Sequence, residues 1–178
     1  MRLSGGGIAR LRELLRDGGG LMSELVSRDG VGRDAGRPAA TAASGPRAAG
    51  RREEYELLVE AIYEGYLLHY GDPRVIEAPE DDLGLLAGDR LYAIGLARLV
   101  ELGDTLAVAE LADTITLSAL AHGSGRPELA EATWAAAARA VGWGPTPDHR
   151  RAKEMVLEGD PQALEAMRTC ARSLPAPP

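Results

Sequence analysis

The feature that most constrains the fold is an alternation, from about residue 53 onward, between long segments with apolar residues at helical spacing and very short breaks. The segments are rich in Ala, Leu and Glu, which favour helices. The breaks combine glycine, proline or a capping acid: Gly71–Pro73, Gly103–Asp104, Gly123–Gly125, Gly144–Pro145 and Asp160–Pro161. Because breaks this short place consecutive helices side by side, the pattern predicts an all-α antiparallel bundle of about five to six helices.

The expected helices cover Glu53–Tyr70, Asp81–Leu102, Thr105–His122, Pro127–Val141, Pro147–Glu158 and Asp160–Ser173. We assign residues 53–173 to one helical bundle domain and residues 174–178 to a tail. Residues 1–52 are expected to form a flexible, basic, Gly/Ala/Arg-rich N-terminal arm with a short amphipathic helix at Ile8–Asp17. Within this arm, residues 29–50 lack an apolar period and are interpreted as a linker.

Charge and cysteine content limit the possible partners and compartments. Up to Arg52 there are ten arginines and five acids, whereas the rest of the chain has ten basic residues and twenty-two acids. An acidic body argues against nucleic acid as the main partner. The single cysteine, Cys170, allows no internal disulfide, which favours a cytoplasmic location. No apolar run reaches the length of a membrane span, and the N-terminus lacks the apolar core of a signal peptide.

Three glycines, Gly84, Gly88 and Gly95, lie close to one stripe of the helix predicted over Asp81–Leu102. Glycine inside a helix costs about 1 kcal/mol relative to alanine. Repeated use of glycine on one stripe therefore predicts that another backbone packs very close to this helix.

A partial family resemblance covers roughly Glu53–Gly123, under half of the chain. It lies in four short runs: Tyr66–His69 at the end of one helix, Asp82–Tyr92 with its Leu-Ala-Gly-Asp core, Leu102–Asp104 and Leu111–Asp113. In this order the runs resemble part of a trans-polyprenyl diphosphate synthase. The resemblance implies a partial isoprenoid-synthase-like helical fold.

The chain departs from that family at the residues that perform the chemistry. After His69 the family would carry an Asp-Asp-x-x-Asp motif that holds magnesium, but Tyr70 and Gly71 stand here. Asp81 and Asp82 come later, and no acid follows either of them one turn further on. The resemblance therefore implies a chain that binds no metal or cofactor and has no catalytic residues of its own.

In size, helicity and missing motifs the chain is similar to the small subunit of heteromeric polyprenyl diphosphate synthases. The resemblance implies an accessory, non-catalytic subunit that supports the activity and product chain length of a catalytic synthase subunit, which would supply the magnesium. An isoprenoid chain is a further candidate ligand. The candidate interface or pocket positions are Tyr63, Tyr66, Tyr70, Gly84, Leu86, Gly88, Asp89, Tyr92 and Gly95.

The roles of these positions stay open in the sequence. One helical face carries Tyr63, Tyr66 and Tyr70, which would line an isoprenoid pocket, form an interface or pack in the core. Asp89 is expected to form a structural salt bridge, with Arg90 or Arg98 as candidate partners.

Two alternatives to the accessory subunit remain. One is a scaffold protein that uses the helical bundle to bind an unrelated partner. The other is a degenerate enzyme with a rebuilt metal site, for which the candidate ligands are Glu64, His69, Asp72, Asp81 and Asp82.

Overall fold

The computed structural model describes residues 6–27 and 38–173, and this part of the chain is all-helical. The α-helices are α1 (Gly7–Gly18), α2 (Gly20–Glu24), α3 (Pro38–Ser44), α4 (Arg52–Tyr70), α5 (Asp81–Glu101), α6 (Thr105–Gly123), α7 (Pro127–Trp143), α8 (Pro147–Leu157) and α9 (Ala163–Arg172). The all-α prediction is confirmed. The helix count is higher than the five to six predicted for the bundle, because three helices precede those six, and the sequence placed the first of them, α1, in the N-terminal arm. None of the described helices is long and apolar enough to cross a bilayer.

Helices α4 and α5 form a close antiparallel pair. A methyl group added to Gly88 would lie 3.1 Å from the carbonyl oxygen of Gly65, and one added to Gly95 would lie 3.0 Å from that of Leu58. Residue numbers rise along α4 as they fall along α5, so the helices run in opposite directions. The predicted close backbone contact is confirmed, and the backbone that makes it is α4 of the same chain.

Two apolar clusters flank α4. The larger one lies between α4 and helices α3, α6, α7, α8 and α9, and its largest fully buried side chains include Leu58, Ile62, Leu99, Leu111 and Met167. The smaller one is formed where α1 packs against α4 and α5, and it contains Leu11, Leu15, Val75 and Leu91. Helix α4 is therefore covered on opposite sides by different parts of the chain.

Residues 38–50 differ from the predicted linker. Helix α3 packs against α4 and α7, and its Ala39, Ala42 and Ala43 are buried. The prediction of helices relied on large apolar residues at helical spacing. This segment has none, because it packs through small side chains. A methyl group on Gly45 would lie 2.1 Å from the carbonyl oxygen of Gly142 in α7, so the two backbones touch. Residues 28–37 of the predicted arm, residues 1–5 and the predicted tail lie outside the described residues.

Helix α1, which spans the segment predicted as a short helix, also packs on the bundle. Arg10 lies 3.2 Å from the carboxylate of Glu56 on α4, and Leu11 is fully buried. Arg12 donates a hydrogen bond to the carbonyl oxygen of Arg74 at 2.7 Å. The described part of the predicted arm therefore covers the side of α4 that the larger core leaves open.

Asp104 joins several elements at the start of α6. Its carboxylate caps the helix by accepting from the Ala107 N–H at 3.0 Å, and it also accepts from Arg47 at 2.7 Å and from the Tyr55 hydroxyl. Burial raises the pKa of Asp104, but these hydrogen bonds outweigh burial and hold the pKa below its ordinary value of 3.8. Ionised Asp104 therefore stabilises the fold.

Gly45→Ala should lower the free energy of unfolding by about 1–3 kcal/mol, the usual cost of overpacking, because its methyl group would overlap the Gly142 backbone. Gly123→Ala on α6 is the control: nothing lies within 4 Å of the added methyl group, and alanine should stabilise this helical position by up to about 1 kcal/mol. Urea unfolding measures both changes. Equal effects of the two substitutions would contradict the packing of residues 38–48.

Asp104→Asn should lower the free energy of unfolding by about 1–3 kcal/mol at pH 7, because asparagine keeps the cap but loses the charge that Arg47 pairs with. The pKa of Asp104 is lower in the folded protein than its unfolded value of 3.8, so ionised Asp104 stabilises the fold above pH 3.8. This stabilisation is lost as the pH falls through the pKa of the folded protein. The difference between the two proteins should therefore shrink below pH 3.8. Denaturant unfolding at a series of pH values tests this, and a constant difference would rule it out.

Candidate functional site

The predicted tyrosine positions belong to a row of aromatic rings that runs from the core to the surface. We call this the aromatic row, and its members are Tyr63, Tyr66, His69, Tyr70, Tyr92, His122 and Trp134. At its buried end the Trp134 ring lies 5.0 Å from Tyr63 and 5.3 Å from Tyr66. Tyr66 is only 5 % exposed. Tyr63 and Tyr66 therefore pack against α7.

At the outer end of the aromatic row, rings from three helices stack in pairs. Tyr70 stacks on His122 of α6 at 4.4 Å, and His69 stacks on Tyr92 of α5 at 5.4 Å, with both pairs nearly parallel. The Tyr66 hydroxyl lies 3.0 Å from Nε2 of His122. These contacts order the C-terminal end of α4 against both neighbouring helices.

Three tyrosine hydroxyls of the row stay neutral, those of Tyr63, Tyr66 and Tyr92. Burial raises the pKa of Tyr66 to about 12, and burial also raises the pKa values of Tyr63 and Tyr92. A neutral phenol donates and accepts hydrogen bonds but supplies neither a base nor a charge at neutral pH. The row is therefore suited to packing and recognition rather than to proton transfer.

The three predicted glycine positions face α4. A methyl group on Gly88 would lie 2.8 Å from the His69 ring, and one on Gly95 would lie 2.3 Å from Ile62. Gly84 is also buried and lies near Ala78. These glycines contact the same chain, so an outside partner would reach them only if α4 moved away.

The remaining predicted positions lie at the surface where α4 ends and α5 begins. Leu86 is 66 % exposed and Tyr70 is 40 % exposed, and Leu85, which the sequence interpretation missed, is 41 % exposed. Asp89 lies one turn after Leu85, with a carboxylate oxygen 3.1 Å from Nε2 of His69. Asp89 therefore pairs with His69 and not with the arginines that the sequence suggested. We call Tyr70, Leu85 and Leu86 the α4–α5 patch.

Two buried acids of α4, Glu60 and Glu64, hold the loop between α4 and α5. One oxygen of Glu64 accepts from the backbone N–H groups of Arg74, Val75 and Ile76 at 2.7, 2.6 and 3.2 Å. The Arg74 side chain hydrogen-bonds to Glu60, and its Nε lies 3.3 Å from the second oxygen of Glu64. Burial raises the pKa of Glu60, and Arg74 opposes that shift. Both carboxylates thus have structural partners inside the fold.

The candidate metal ligands do not meet. Glu64 is fully buried against the loop backbone, His69 pairs with Asp89, and Asp72, Asp81 and Asp82 are exposed. Across residues 6–27 and 38–173, no group of three or more His, Cys, Asp or Glu side chains is arranged to hold a metal ion. The rebuilt metal site considered from the sequence does not form in this part of the chain.

No protein-family model, curated protein or solved structure matches this chain. The resemblance to polyprenyl diphosphate synthases therefore rests on the short sequence runs alone. The site is defined by its own geometry: a rigid aromatic row, buried acids with structural partners and an exposed apolar patch.

Glu64→Ala should lower the free energy of unfolding by about 3–5 kcal/mol, because it leaves three backbone N–H groups without their acceptor and Arg74 with one fewer carboxylate. Asp72→Ala, which removes an exposed acid from the same loop, should change it by less than about 0.5 kcal/mol. Denaturant unfolding compares the two. If Glu64 served a metal instead, its loss would leave stability unchanged in the absence of divalent ions.

Proposed function

We propose that this chain is a non-catalytic binding subunit that docks a helical partner protein through the α4–α5 patch. The observation that carries the proposal is the exposure of two leucines and a tyrosine at the end of α4 and the start of α5: Tyr70, Leu85 and Leu86. Apolar and aromatic side chains of this kind form the centre of protein interfaces.

The patch rests on a rigid support, which favours binding. The glycine contacts hold α5 directly against α4, and the stacked pairs at the outer end of the aromatic row hold the end of α4. A surface that is already ordered loses little conformational entropy when a partner docks. The His69–Asp89 pair supplies polar groups beside the patch, as expected for the rim of an interface.

The partner that we propose is the catalytic subunit of a polyprenyl diphosphate synthase, whose activity and product chain length this chain would support. This identity rests on the resemblance of the runs around Tyr66–His69 and Asp82–Tyr92. The partner would supply the magnesium and the aspartate motifs. The growing isoprenoid chain would lie on the partner's side, because Tyr63 and Tyr66 are packed against Trp134.

A scaffold role toward an unrelated protein is the second candidate. It uses the same patch and is favoured by the structural partners of Glu60 and Glu64, which leave these acids no catalytic task. The two candidates differ only in the identity of the partner, so one experiment separates them.

The test combines this chain with the polyprenyl diphosphate synthase encoded in the same genome. Complex formation is measured by size-exclusion chromatography with light scattering, and prenyl transfer is measured with isopentenyl diphosphate, an allylic primer and Mg²⁺. We expect a complex and a rise in activity or a change in product length. The absence of a complex refutes the synthase partner and favours the scaffold role. A complex without a change in activity or product length refutes the supporting role in prenyl transfer.

Leu86→Arg should weaken the complex at least about tenfold, because it places a charge in an apolar contact and a loss of about 1.4 kcal/mol is already tenfold. Leu157→Arg on α8 is the matched control, because Leu157 is 62 % exposed and Leu86 is 66 % exposed. Equal weakening by both variants, measured by titration, would show that the α4–α5 patch is not the docking surface.

A further inference from the structure

A second site lies apart from the α4–α5 patch, where α7, α8 and α9 surround a cleft of about 270 Å³. Its lining includes polar and aromatic side chains from all three helices: Arg139, Trp143, Asp148, His149, Thr169 and Cys170. The volume is close to the lower end of the range of about 300–1,000 Å³ for ligand pockets, so a ligand here would be small.

His149 lines this cleft and has a ring nitrogen that no described residue uses. The residue is only 4 % exposed, and its Nε2 lies 2.9 Å from a carboxylate oxygen of Glu110 on α6. Burial raises the pKa of Glu110, but hydrogen bonds from His149 and Lys153 outweigh burial and lower it, so Glu110 is an ionised acceptor. Nε2 of a neutral His149 therefore carries the proton, and Nδ1 is the acceptor. Nδ1 is buried and has no hydrogen-bond partner among the described residues.

Arg139 supplies a positive charge to the same cleft. Its guanidinium lies 4.1 Å from the centre of the Trp143 ring, and one terminal nitrogen donates to the carbonyl oxygen of Ser173 at 2.9 Å. Its Nε is buried, and no residue in the described part of the chain accepts from it. Stacking on Trp143 holds the guanidinium plane in place, so this N–H is a positioned donor for an anion.

A negative charge lies close to these two groups. Asp148 is exposed and precedes His149 at the start of α8. Burial, and then the charge of Asp148, raise the pKa of the Cys170 thiol. The thiol is therefore neutral at pH 7 and serves as a small apolar part of the wall rather than as a nucleophile.

We propose that this cleft binds a small zwitterionic amino acid. The ligand carboxylate accepts from Arg139 Nε, and the ligand ammonium group donates to His149 Nδ1 and faces Asp148. Each charge of such a ligand meets its opposite, and both unpartnered buried atoms gain a hydrogen bond, which removes the cost of leaving them unpaired. A simple anion would leave His149 Nδ1 unsatisfied, and a simple cation would leave Arg139 unsatisfied.

Cys170 provides a reporter at the site, because it is the single cysteine of the chain. The rate of its alkylation by iodoacetamide is measured with each of the twenty common amino acids in turn, and with acetate and methylammonium as single-charge controls. We expect at least one amino acid to slow alkylation about tenfold at ten times its Kd, as mass action requires when the bound form is protected. Neither acetate nor methylammonium should slow the alkylation of Cys170 as much as that amino acid does.

Substitutions then locate the binding groups. Arg139→Gln and Asp148→Asn should each abolish the protection given by that amino acid, whereas Arg168→Gln, an exposed arginine on α9, should retain it. Asp148 is exposed, so its variant should fold normally. The proposal is overturned if no amino acid protects Cys170, if acetate protects as well as the amino acids, or if Arg139→Gln leaves the protection unchanged.

Discussion

The buried Glu64 carboxylate is the interaction on which the arrangement of the first half of the chain depends. It holds three consecutive backbone N–H groups of residues 74–76, and Arg74 lies between it and Glu60. The same short segment pairs with Val26 in an isolated β-bridge and accepts a hydrogen bond from Arg12. Helices α1 and α2 and the entry to α5 are thus located relative to α4 through a segment that one buried carboxylate holds. Three backbone N–H groups and the nearby Arg74 guanidinium offset the cost of burying that carboxylate.

The position of the exposed patch follows from how α4 is covered. Helix α1 and helix α5 pack on one part of its surface, α3 and the aromatic contact from α7 cover another, and α6 meets its C-terminal end. At this C-terminal end of α4 the Tyr70 side chain is 40 % exposed. A helix that is covered by several others therefore also presents part of the candidate docking surface.

Sequence periodicity and helix-breaking residues were sufficient to predict α4 to α9, because each has apolar spacing and a clear stop. They could not predict α3, because its buried residues are alanines. These small side chains allow the backbone to pack close to α7 and give no pattern of large apolar residues. The glycine stripe correctly indicated a close backbone, but only the structure identified that backbone as α4. Asp89 pairs with His69, which lies twenty residues away in the sequence. The cleft at His149 is lined by residues from separate helices. Such contacts depend on the tertiary structure and cannot be predicted from the spacing of residues along a single helix.

The glycine seam between α4 and α5 has a consequence for how the surface can change. At Gly65, Gly88 and Gly95 there is no room for even a methyl group, so this side of the pair tolerates almost no variation in side-chain size. The outward side of α5, with Leu86 at 66 % exposure, carries no such restriction. Substitution there leaves the helix pairing undisturbed, so the proposed docking surface can vary while the architecture stays constant.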